Sequence, residues 1–136
     1  MPISRNDIRS ILLASLCGDL SIIKSLYEEN PDIINARGQL KHSKYLLTPV
    51  VYAASQFNKK AFIDDRYKIC LRFLVEHGAD LDAEIIGNVN GVCETLTVRK
   101  LIKMYYPLAT KFIEEIEREM IFTKWNRIPF RLFYMK

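Results

Sequence analysis

Few side chains in this sequence stand at spacings that chemistry uses. Asp64 and Asp65 are adjacent carboxylates, His77 is a titratable imidazole, and Cys17, Cys70 and Cys93 are the three thiols. Paired carboxylates do acid–base work when both reach one reacting group. Neighbours at a helix start more often act as cap and dipole partner, and that is the expectation for Asp64-Asp65. His77 stands directly before Gly78 at a helix end, so a structural role is expected of it. Cys70 falls in an apolar helical stripe, where a thiol behaves as a small hydrophobe rather than a nucleophile. His42 and His77 are the two histidines, far apart and without zinc-type spacing, so neither metal nor cofactor is expected. There is no glycine-rich phosphate loop, no nucleophile elbow and no His-Glu-x-x-His. The chain reads as a non-enzyme.

The elements that would position these groups follow from composition and pattern. With 136 residues, 49% of them apolar and 26% charged, the chain suits one domain with a true core. An odd number of scattered cysteines argues for a reducing, intracellular setting. The apolar run Ile11–Cys17 imitates a leader, but it is short, Asp7 precedes it, and Leu16 is large where cleavage needs a small residue. No run approaches the ~18 apolar residues of a membrane span. The net charge of +4 is carried by residues 120–136, where Lys124, Arg127, Arg131 and Lys136 occur with no acid.

The pattern predicts an all-α chain. Ser4 or Asn6 caps a first helix that stops at Gly18, and Asp19 caps a second carrying Leu20, Ile22, Ile23, Leu26 and Tyr27 as far as Asn30-Pro31. Thr48-Pro49 starts a third with Val50, Val51, Ala53 and Ala54. Asp64 or Asp65 opens a fourth with Ile69, Cys70, Phe73 and Leu74, closed by His77-Gly78. A loop from Asp80 to Glu94 takes Gly87, Asn88, Asn90 and Gly91 as turn residues. Thr95 or Thr97 caps a fifth helix with Val98, Leu101, Ile102 and Tyr105, and Pro107 starts a sixth with Leu108, Phe112, Ile113 and Ile116. No strand is expected.

Three segments resemble the ankyrin-repeat family. Val75-Glu76-His77-Gly78-Ala79-Asp80-Leu81-Asp82-Ala83 is similar to the close of a repeat. Thr48-Pro49-Val50-Val51-Tyr52-Ala53-Ala54 is similar to the Thr-Pro-Leu-His-x-Ala-Ala start, and Gly18–Leu26 to the join between paired helices. The resemblance covers roughly residues 5–119. It implies a solenoid of three repeats, at about 5–36, 37–83 and 84–119, with Ile22, Ile23, Leu26, Cys70, Leu71 and Leu74 filling the seams. Val51 replaces the family's histidine, and the 49 residues from Thr48 to Thr97 exceed the family's period of about 33. Thr97-Val98-Arg99-Lys100-Leu101 is the loosest match to a repeat start.

The resemblance implies non-covalent recognition of another protein, as an adaptor, inhibitor or effector, through loop tips and a concave helix face. The residues it points to are Gln39, Lys41, His42, Lys44 and Tyr45 in one loop, Tyr52 and Gln56 on the following helix, and Asn88 and Asn90 at the next loop tip. The extension at 120–136 mixes cations with aromatics, among them Trp125, Arg127, Phe130 and Arg131. It would cover the solenoid end, bind a partner, or touch an anionic membrane or nucleic acid. Self-association through that extension or an uncapped end is a further expectation.

Overall fold

The computed structural model describes residues 3–40, 45–60, 62–89 and 92–127, with 86–89, 92–94 and 124–127 by backbone alone. Among these residues six helices form: α1 Arg5–Cys17, α2 Leu20–Glu29, α3 Pro49–Lys60, α4 Arg66–Glu76, α5 Val98–Tyr105 and α6 Pro107–Arg127. A 3-10 turn over Pro31–Asn35 follows α2. Strands β1 Glu84–Val89 and β2 Val92–Thr97 pair antiparallel between α4 and α5, with Val89 opposite Val92.

Local chemistry sets most helix ends as the sequence predicts. Ser4 Oγ accepts the Asp7 N–H at 3.1 Å, and Thr97 Oγ1 accepts the Lys100 N–H at 3.2 Å. Gly18, at φ 74°, closes α1 in the left-handed conformation that glycine adopts without strain. Asp19 Oδ1 then accepts the Ile22 N–H at 3.3 Å and starts α2. At α4 the Asp64 carboxylate takes the Arg66 N–H at 3.0 Å and the Arg66 Nε at 2.6 Å, which is capping work and not a paired-carboxylate site. Thr48 departs from expectation, since its buried Oγ1 has no hydrogen-bond partner among the described residues; Pro49 still opens α3.

The core is one cluster centred on α3, whose Val50, Ala53 and Ala54 are fully buried. The two alanines let neighbouring helices approach closely. Ile11 and Leu12 of α1, Cys70, Leu71 and Leu74 of α4, Val98 and Ile102 of α5, and Ala109 and Ile116 of α6 complete it. Ile22, assigned above to a seam, is 42% exposed, so α2 buries Ile23 without it. Long-range polar ties hold the turns. Asn35 donates from Nδ2 to the Gly78 carbonyl at 2.9 Å and accepts the Asp80 N–H on Oδ1 at 2.7 Å. Arg99 grips both oxygens of Glu117 at 2.7 and 2.9 Å and reaches Asp82 at 3.4 Å, which ties α5 to α6 and to the turn after α4.

These contacts correct the repeat reading. The helices form a bundle with non-sequential packing: α3 lies against α1, α4, α5 and α6, and α6 lies against both α3 and α4. A linear array of self-similar pairs is not what is built. Among the described residues the three helix pairs also differ from one another, since the first is followed by a 3-10 turn and the second is not, the third is preceded by a hairpin, and α5 has 8 residues against 21 in α6. The helix starts and stops that carry the ankyrin resemblance are local signals, and they specify where helices begin and end rather than how pairs stack. The expectation of no strand is likewise corrected by β1 and β2. Helix α6 runs on to Arg127, into the segment read above as an extension.

Two surface carboxylates make the fold sensitive to acid. The Ser21 hydroxyl, followed by the Ile22 amide, holds Asp19 below the usual carboxylate range, and the Arg72 guanidinium at 2.6 Å does the same for Glu119. Both folded values lie below the unfolded ones. Their stabilisation is therefore complete above the ordinary carboxylate pKa and is lost as pH falls through the lowered values. Urea midpoints measured down a pH series are expected to fall below about pH 4. Glu119→Gln should flatten part of that slope, and an unchanged slope would remove the Arg72 pair from the account.

Candidate functional site

One face each of α1, α3 and α5 meets Gln39, Leu40, Tyr45 and Leu47 around an open groove of about 1220 Å³. The helical spacing explains the convergence. Arg9, Leu13 and Leu16 follow one another along α1 at intervals of four and three residues, Tyr52, Gln56 and Lys59 do so along α3, and Leu101 and Tyr105 are four apart on α5. Tyr106, in the turn before α6, closes one side.

The loop is seated by a two-residue bridge. Gly38 N–H donates to the Leu47 carbonyl at 3.0 Å, and the Leu47 N–H returns to the Gly38 carbonyl at 2.8 Å. A Cβ on Gly38 would lie 2.6 Å from Leu12 Cδ1 and 2.7 Å from Ile8 Cγ2, so glycine lets the loop base rest on α1. The Tyr52 hydroxyl accepts the Leu40 N–H at 3.3 Å and anchors the loop from the α3 side.

The lining is apolar and aromatic, with a sparse, one-signed charge. Leu13, Leu16, Leu40, Leu47, Val51 and Leu101 supply aliphatic surface, and Tyr45, Tyr52, Tyr105 and Tyr106 supply rings. Among the described residues, Arg9 and Lys59 are its ionisable side chains apart from those phenols, and no carboxylate lines it. Burial, then the neighbouring phenols of Tyr105 and Tyr52, push the Tyr106 hydroxyl above its ordinary value, so it stays a neutral donor and acceptor. The groove thus offers tyrosine hydroxyls, aliphatic contact and two cations. Among the described residues, no thiol or imidazole stands in its wall.

Four residues named from the sequence, Gln39, Tyr45, Tyr52 and Gln56, come together here. Lys41, His42, Lys44, Asn90, Phe130 and Arg131 lie outside the described residues, as do the side chains of Asn88, Trp125 and Arg127. Asn88 belongs to β1 by its backbone. The expected mode of binding, loop tips along a concave face shared by repeats, is corrected with the solenoid, because no stack of repeats exists to present them. Arg9, Leu13, Lys59, Leu101, Tyr105 and Tyr106 were not found from the sequence as site residues. Their signal was a second stripe beside each helix's buried stripe, which spacing alone does not distinguish from solvated surface.

The other candidate chemical groups stand elsewhere. His77 Nδ1 lies 2.8 Å from the Phe73 carbonyl oxygen, and its ring stacks on Phe73 at 3.9 Å with Tyr27 edge-on at 5.2 Å. Burial pushes the Cys70 thiol up to about 11, so it is protonated at neutral pH. Among the described residues, no three His, Cys, Asp or Glu side chains gather as a metal site, and no helix is long and apolar enough to cross a membrane. The chain matches no known family model, no curated protein and no solved structure.

Proposed function

We propose that this chain is a non-enzymatic recognition domain whose groove takes an acidic, apolar peptide segment of a partner protein. The observation that carries the reading is the lining charge: Arg9 and Lys59 stand among four tyrosines, and no carboxylate lines the groove among the described residues. Charge of one sign on an aromatic bed selects a ligand of the opposite sign and orients it. Tyrosine and arginine are also the side chains that concentrate binding energy at interfaces, because they bury large area at modest entropic cost. Size favours a peptide. A groove of about 1220 Å³ exceeds the range of about 300–1,000 Å³ usual for small-molecule pockets, and it is open along one side.

The reading needs neither loop tips nor a repeat stack; most of the wall is made by helix faces that the bundle already fixes, with Gln39, Leu40, Tyr45 and Leu47 completing it, so little order is lost on binding. We assign it an intracellular setting, on the free, buried thiol of Cys70. Selection of a random displayed-peptide library on the full chain tests it. The expected pool is enriched in Asp and Glu next to Leu, Phe or Trp, and that enrichment disappears on Arg9→Glu/Lys59→Glu. A pool without acidic bias, or one indifferent to the two reversals, overturns the assignment.

A further inference from the structure

One end of the bundle carries a second surface, unrelated to the groove. After α3, Phe62 is 91% exposed and Ile63 83% exposed, the two most exposed large hydrophobic side chains among the described residues. Met104, near the end of α5, is also exposed, as is Leu108 at the start of α6. The Leu108 N–H donates to Asn58 Oδ1 at 3.0 Å, which brings the α5–α6 turn to the same helix end from which Phe62 and Ile63 project. Two exposed lysines, Lys60 in the last turn of α3 and Lys103 in the last turn of α5, stand at that end with them. Of the acids that follow in the chain, Asp64 is paired with Arg66 at 2.6 Å, and Asp65 is exposed; the Lys60 ammonium lies 5.3 Å from the centre of the Tyr67 ring.

A neighbouring phenylalanine and isoleucine held almost wholly in water form a convex wedge, the reverse of a preformed pocket. We propose that this end docks on anionic bilayers, with Phe62 and Ile63 entering the boundary between headgroups and acyl chains and Lys60 and Lys103 reaching lipid phosphates. The physics is that of a peripheral anchor: buried apolar area and attraction to anionic lipid add, and neither alone holds a protein firmly. Lysine stems can lie along apolar surface while the ammonium groups stay at the headgroups.

Sedimentation of the full chain with phosphatidylcholine vesicles, and with phosphatidylcholine vesicles containing phosphatidylserine, tests the proposal. The chain is expected to partition onto the second and not the first. Phe62→Ser/Ile63→Ser, at positions outside the core, should keep its circular dichroism and lose about tenfold in partitioning. Lys60→Gln and Lys103→Gln should each lose about fivefold. Absence of partitioning onto phosphatidylserine vesicles, equal partitioning onto both vesicles, or full binding by the serine variant overturns it. The peptide selection of the groove is expected to be unchanged in the serine variant, which separates the two surfaces.

Discussion

Leu74→Ala is expected to destabilise the chain by about 2–5 kcal/mol, enough to unfold much of it if its total stability is ordinary. Leu74 is fully buried on α4, which packs against α2, α3 and α6, so several elements share the cavity left behind. Ile69, on the same helix, makes the internal comparison: it is 50% exposed, and Ile69→Ala should cost under about 1 kcal/mol. Urea unfolding of the two variants reads the difference directly. Equal midpoints would mean that the buried stripe of α4 is misassigned and that the packing of α4 described above is wrong.

Arg99→Met carries the second largest expected effect on stability. The guanidinium makes two parallel bonds to Glu117, at 2.7 and 2.9 Å, and a longer one to Asp82 at 3.4 Å. Those carboxylates hold its pKa well above the ordinary arginine value, Glu117 first, so the side chain is charged at every accessible pH. Hydrogen bonds between charged groups contribute more than neutral ones, but Arg99 is partly exposed and solvent screens the pair. A loss of about 1–2 kcal/mol is the discounted expectation. Arg99→Lys should recover less than half of it, because an ammonium is a point charge and cannot engage both oxygens in a plane. A double-mutant cycle with Glu117→Gln isolates the pair, and a coupling near zero would reduce the contact to surface decoration.

The ends of the helices were legible in the sequence because their causes are local. Ser4, Asp19 and Thr97 cap through their own side chains, and Gly18 and Gly78 take positive φ at helix ends. Packing was not legible in the same way. Thr48-Pro49 and His77-Gly78-Ala79-Asp80 mark a helix start and a helix stop, and many arrangements of helices use such marks. The step from them to an ankyrin stack therefore rested on resemblance, and the placement of α3 against four helices overturned it.

The hairpin was missed for a different reason. Ile85, Ile86, Val89 and Val92 are β-branched, and the residues between the strands are Asn90-Gly91, a strong hairpin signal in a sequence. Gly87, Asn88, Asn90 and Gly91 are turn formers by type, and their crowding masks the β-branched runs on either side. For the site, Tyr52 and Gln56 were found because they share a helix face and adjoin the loop. The α1 and α5 walls depend on bringing together residues far apart in the chain, such as Leu16 and Tyr106, which line the same groove, and no local pattern records that.

The central position of α3 also bears on how such a chain can change over evolutionary time. A row of stacked units can gain or lose a unit at either end and keep a folded remainder, since each touches only its neighbours. Here α3 packs against α1 as well as against α5 and α6, so losing either the first helix or the last two strips a wall from the element at the centre of the core. The described bundle closes around one helix and has no unit that could be dropped with the remainder left folded.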